Sequence, residues 1–183
     1  MGIEHCTVCD VGYEGETLTK GLCEACVEQR EQDEAFAEYE AASSQVKALA
    51  DHLACDVQDV EESRHGGEGA HRAHGKDFLV LTDDEADDAC RARILDSLWA
   101  FNADFIASHV RPRLNDAATK ALAKTQGELC EDANDLVRAI IHDIDAFVAD
   151  AVRSDGRGHF VSSYDGEEHE VRVGDDFFYL YRQ

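Results

Sequence analysis

The 183-residue chain has one proline, Pro112, and one tryptophan, Trp99, and only seventeen lysines and arginines. No run of eighteen or more apolar residues is present, which excludes a membrane-spanning helix. The first residues carry no basic segment followed by an apolar one, so no secretory signal is expected, and a soluble protein of the cytoplasm is. The chain also lacks a P-loop, a G-x-G-x-x-G turn, an H-E-x-x-H pair and an EF-hand loop. The usual phosphate-cradling, zinc-protease and calcium-binding signatures are therefore missing.

What is abundant is negative charge. Forty Asp and Glu give a formal net charge of −23. Residues 1–62 hold sixteen acids and three bases, a balance of −13; the remainder holds twenty-four acids and fourteen bases, a balance of −10. Such a field repels nucleic acid phosphate and attracts basic protein surfaces, so direct binding of nucleic acid is not expected. Mimicry of nucleic acid toward a basic partner is one reading of the acidity. A solvated surface suited to a salty cytoplasm is the other, and five Lys against twelve Arg agrees with it.

Seven cysteines remain to be explained. Cys6 with Cys9 and Cys23 with Cys26 form two Cys-x-x-Cys pairs separated by thirteen residues. Paired cysteines in an intracellular chain point to metal before disulfide. Four thiolates suit one tetrahedral Zn²⁺, and a closed four-sulfur set is structural rather than catalytic. The zinc would supply folding energy that this apolar-poor segment lacks. His5 is expected to support the site or stand free. Cys55, Cys90 and Cys130 are expected to act as small buried hydrophobes.

Pattern reading divides the chain into a zinc ribbon or knuckle (1–30), an acidic helical arm (31–62), a linker (63–76) and an α+β main domain (77–183). Phe36, Tyr39, Val46, Leu49 and Leu53 form one narrow helical stripe within a helix expected over 24–54, with a shorter helix restarting after Cys55, capped by Asp56. The glycine-rich linker holds His65, His71 and His74, a weak metal-binding pattern. In the main domain FLVLT (78–82) reads as a strand, and Thr82 with Glu85 as a capping box opening a helix to Val110. Further helices are expected from Asn115 or Asp116 to Gly127 and over 132–153. HEVRV and FFYLYR form a closing hairpin. The fold class is thus α+β, mostly helical, with a small antiparallel sheet.

Two constellations invite chemistry. On a continuous helix over 83–110, Asn102, His109 and Arg91 fall inside the apolar arc and could line a pocket or anchor neighbours. The segment DGRGHFVSSYDGEE, read as a loop, concentrates Arg157, His159, Ser162, Ser163, Tyr164 and Asp165. A histidine beside two serines suggests a nucleophile and base, but no third member can be assigned. Arg157 suits a carboxylate or phosphate. The bland reading is a loop tied by side-chain hydrogen bonds. His109, His142, Asp143 and Asp150 invite comparison with metal-dependent phosphohydrolases, yet His142 falls opposite the apolar face of its helix.

The stretches FLVLTDDEAD (78–87), SLWAFNADFI (97–106), DGRGHFVSSYDGEEHEV (155–171) and the ending YLYRQ resemble a group of small proteins carried by bacteriophages and prophages. The resemblance covers roughly residues 46–183, and the cysteine module looks like an addition to it. It carries over no catalytic residue. It implies an accessory protein of a phage or mobile element that works in the bacterial cytoplasm by binding a host machine. A non-enzymatic, zinc-binding protein acting by protein–protein contact is accordingly the leading expectation. A small-molecule or nucleotide binder or enzyme is the second, with a pocket where Arg157 or His159 approaches His109 or Asn102. A zinc-stabilised homo-oligomer zipped through the Phe36–Leu53 stripe is the third.

Overall fold

A computed structural model describes residues 3–14, 18–64, 67 and 69–183. The chain divides into two units, residues 1–61 and 62–183. In the first, β1 (Ile3–His5) pairs antiparallel with β2 (Gly12–Glu14), and a bridge between Thr19 and Leu22 closes a second turn. Helix α1 (Glu24–Ala41) follows directly, then α2 (Ser44–Leu53). The expected single helix over 24–54 is broken because Ala42 and Ser43 are extended and the Ser43 hydroxyl accepts a hydrogen bond from the Val46 amide. That is an N-cap, which starts a new helix. The helix expected after Cys55 is one 3₁₀ turn, Val57–Asp59, and Asp56 makes no side-chain cap. A small apolar cluster of Cys6, Leu22 and Cys23, with Leu18, Cys26 and Val27 against it, is the core of the cysteine module.

Strand β3 (Val60–Glu62) spans the unit boundary, and β4 (Ala70–Ala73) and β5 (Lys76–Leu81) form a hairpin. The stretch read as a linker therefore contains a strand. His74 and Gly75 both have positive φ, +50° and +73°, the geometry of a two-residue type I′ turn. β5 runs into α3 (Asp83–Asp96) through the expected capping box: the Thr82 hydroxyl accepts from the Glu85 amide, and a Glu85 carboxylate oxygen lies 2.8 Å from the Thr82 amide.

Helix α3 does not continue to Val110. A 3₁₀ turn (Leu98–Ala100) and an extended Phe101 intervene before α4 (Ala103–Ser108), which Asn102 caps by accepting the Asp104 amide at 2.8 Å. Asn102 therefore lies on no helical face; its place inside the apolar arc was a product of extending one helix through a cap. Then come α5 (Asp116–Leu129), capped by Asn115, and a 3₁₀ turn (Cys130–Ala133). The helix expected over 132–153 is split into α6 (Asn134–Ile140) and α7 (Ile144–Asp155), the latter capped by Asp143. The segment read as a polar loop opens with a helix, α8 (Arg157–Val161). β6 (His169–Val173) and β7 (Asp176–Arg182) close the chain.

The antiparallel sheet has the order β3-β4-β5-β7-β6. Leu79 pairs with Tyr181, and these two with Leu81 belong to the main core together with Cys90, Ile94, Leu98, Ile106, Val137, Phe147 and Val161 from the helices. Phe78 and Val80, on the opposite face of β5, are also buried, which is why the strand reads as an unbroken apolar run. The fold class is the expected one, α+β and mostly helical. Among the described residues, no helix is long and apolar enough to cross a membrane.

Candidate functional site

The four paired cysteines converge. The Sγ atoms of Cys6, Cys9, Cys23 and Cys26 all lie within 4.8 Å of one another, and Cys9 and Cys23 are 3.7 Å apart. Local backbone geometry explains this. The Asp10 amide donates to the Cys6 carbonyl and the Cys6 amide to Val11, closing a tight turn that sends both side chains to one side. The Thr7 amide and hydroxyl both donate to the Gly21 carbonyl, at 2.9 and 3.2 Å, which stitches the first pair to the second. Gly21 has φ +81°. A Cβ there would be strained and would meet the Thr7 methyl at 3.4 Å. Cys23 is the N-cap of α1 and Cys26 lies in its first turn, where the helix dipole favours thiolate.

The donor set fits a sulfur-preferring ion. Metal–sulfur bonds of about 2.3 Å in a tetrahedron give sulfur–sulfur edges of about 3.8 Å, close to the Cys9–Cys23 separation. The four thiols share their protons unequally. Hydrogen bonds from the Cys9, Cys23 and Val8 amides draw Cys6 down to about 6, whereas the neighbouring Cys23 and Cys9 side chains push Cys26 up to about 12. A central cation lets all four ionise. Cys6 and Cys23 are buried, and no disulfide joins any of the seven cysteines. His5 stands outside the set, its Nδ1 3.2 Å from the Asp10 carbonyl. Of the other three cysteines, only Cys90 matches the expectation of a buried hydrophobe: burial raises its thiol to about 11. Cys55 is half-buried and Cys130 exposed.

The second constellation resolves into separate structures. Arg157, only 13% exposed, holds Glu168 with two nitrogens and reaches Asp83 and Asp87 at 2.7 and 2.9 Å with a third. Its guanidinium stacks on Tyr179. Burial lowers its pKa, but Glu168, Asp83 and Asp87 more than offset this and the net shift is upward. Tyr181 donates to Glu168 at 2.5 Å, and burial followed by that contact raises its hydroxyl. Arg157 is thus occupied in tying α8 to the start of α3, to Glu168 just before β6 and to Tyr179 in β7.

Ser162 is buried, its hydroxyl 2.8 Å from both Asp165 Oδ1 and the Arg182 carbonyl. Asp165 also accepts the Glu167 amide, which with Ser162 lowers its carboxyl. Tyr164 is exposed under the Arg182 guanidinium, 3.4 Å away. These residues tie the α8–β6 connection to the end of β7. His109 closes α4: its Nδ1 lies 3.0 Å from the Phe105 carbonyl, and its Nε2 3.2 Å from Asp150. His142 is exposed and Asp143 caps α7, and these two are not gathered with His109 and Asp150 into a ligand set among the described residues. His65 lies outside the described residues; His71 is buried in β4, and the His74 backbone makes the β4–β5 turn.

Two of the candidates do meet. Asn102 and His159 line one groove of about 720 Å³ together with Trp99, Phe101, Phe105 and Phe160. Its wall depends on Gln126 and Asn134, neither of which pattern reading singled out. Gln126 Nε2 donates to the Trp99 and Phe101 carbonyls at 2.6 and 2.8 Å. Asn134 accepts the Trp99 amide and donates to the Leu95 carbonyl.

Comparison with protein-family models, curated proteins and solved structures finds no match for this chain.

Proposed function

We propose that the chain is a zinc-organised accessory protein of a phage or mobile element, acting in the host cytoplasm by contact with a basic surface on a host protein. The supporting observation is α1. Eighteen residues long, it has no buried residue and leaves Phe36 67% exposed. It carries seven acids, from Glu24 to Glu40, against one base, Arg30. A helix polar on nearly every face gains little from its own fold and is suited to bridge or dock. The cysteine set anchors its first turn, so one Zn²⁺ bound there would hold the arm in shape, and soft thiolates favour zinc over hard cations. Self-association through α1 would set seven acids against seven, which disfavours the homo-oligomer.

Metal analysis by mass spectrometry tests the first half. Protein purified without added metal should carry one zinc per chain, and Cys23→Ser should lose it. For the second half, a photocrosslinker at Phe36 should trap a basic host protein. That complex should weaken with added salt and vanish when Glu31, Glu34 and Glu38 become lysine. A trapped complex indifferent to both would overturn the electrostatic reading.

A further inference from the structure

We infer that the groove between α3, α4, α7 and α8 is a binding site for a small organic cation, an amine or guanidine carried on an apolar body. Four half-buried aromatic residues, Trp99, Phe101, Phe105 and Phe160, supply its apolar lining. Phe101 stacks on Phe105 and Phe160 with ring centroids 5.8 and 6.0 Å apart, so the surface is continuous. The rim carries Asp96, Glu131 and Asp155 against Arg93 alone. Three carboxylates and one guanidinium leave the groove negative. An anionic ligand such as a nucleotide is repelled, and a cation gains both from the rim and from the aromatic faces, tryptophan above all.

The volume of about 720 Å³ lies in the range of small-molecule sites and exceeds a single inserted side chain. The groove is also preformed. Gln126 and Asn134 fix the backbone of residues 95–101, so the aromatic wall does not have to assemble on binding. Asn102 and His159 add polar groups able to orient a ligand.

Trp99 is the only tryptophan, so its emission reports on this groove. The full chain is titrated with benzyltrimethylammonium at constant chloride, and in parallel with benzoate, adenosine monophosphate and N-acetylarginine amide. A saturable emission change with the ammonium is expected, and none with benzoate. Asp155→Asn and Glu131→Gln, both at exposed positions, should each weaken binding about fivefold. Asp175→Asn, at a fully exposed position in the β6–β7 turn outside the groove lining, should leave it unchanged. Equal weakening by Asp175→Asn would reduce the effect to diffuse attraction by the acidic chain and overturn the site. Binding of benzoate or the nucleotide as tight as that of the ammonium would overturn the charge assignment. Tighter binding of the arginine amide, whose guanidinium is not carried on an apolar body, would overturn the small-ligand assignment and give the groove to a partner's arginine side chain. Absence of any saturable change would also end the proposal.

Discussion

Arg157 and Glu168 face each other as two forks: Nε lies 2.9 Å from Oε2 and Nη2 lies 3.1 Å from Oε1. Two parallel charge-assisted bonds, made by a guanidinium 13% exposed, hold the short helix α8 to the residue that leads into β6. Asp83 and Asp87 are mostly exposed, so solvent screens their share.

Arg157→Ala leaves the Glu168 side chain, 28% exposed, without its cation. A loss of about 3 kcal/mol in urea unfolding is expected. Arg157→Lys should recover little of it, because an ammonium cannot fill both bonds. Full recovery by lysine would show that charge alone matters there.

Gly158 is needed for a different reason. A Cβ on it would lie 2.5 Å from the Gly166 carbonyl oxygen and 2.7 Å from the Glu167 carbonyl carbon, both backbone atoms. Gly158→Ala must push α8 off the following turn, at a cost of about 2–3 kcal/mol. Gly127→Ala meets nothing within 4 Å and lies in a helix. It should be neutral or stabilising by up to about 1 kcal/mol. Thermal melts of the two variants should therefore move in opposite directions or differ by several degrees.

Gln126→Leu removes the amide that satisfies the Trp99 and Phe101 carbonyls. Two partly buried acceptors lose their donor, and a loss of about 1–3 kcal/mol follows. Trp99 emission should shift to longer wavelength as residues 98–102 loosen. An unchanged spectrum with unchanged stability would mean that other groups hold this turn.

His71 is buried, and neither ring nitrogen has a hydrogen-bond partner. Burial lowers its pKa from 6.5, with only partial opposition from Glu62. The unfolded chain then binds the proton more readily than the folded one, so stability rises with pH. This contribution is fully present above about 6.5 and is eroded as pH falls from 6.5 toward the lower folded value. His71→Leu should flatten the wild-type loss of stability in that window, read as urea midpoints between pH 7.5 and 5. Parallel curves for the two proteins would place the acid sensitivity elsewhere.

Much of this was legible in residue order because the physics is local. Two Cys-x-x-Cys pairs bring four thiols together through short turns. Thr82-x-x-Glu85 satisfies amides within its own first turn, Asn115 does the same for α5, and the alternation of β6 needs only its neighbours. Local spacing could not reveal where apolar periodicity runs on through a break. Over 97–102 and 141–143 the hydrophobic pattern continues, yet Asn102 and Asp143 capture nearby amides. Gln126 and Asn134, distant in sequence, complete the turn over 97–102. In the same way Arg157 and Ser162 look like the makings of an active site in sequence, and only their folded partners use up their hydrogen-bonding capacity.

The sequence by itself determined the acidic charge, the sulfur cluster, the α+β class and the caps of α3 and α5, because each depends on composition or on residues a few positions apart. The tertiary structure alone decided that α8 is a helix, that β4 is a strand holding a buried histidine, and that Asn102 and His159 share an aromatic groove. Those outcomes rest on desolvation and on contacts between segments tens of residues apart, which no local pattern encodes.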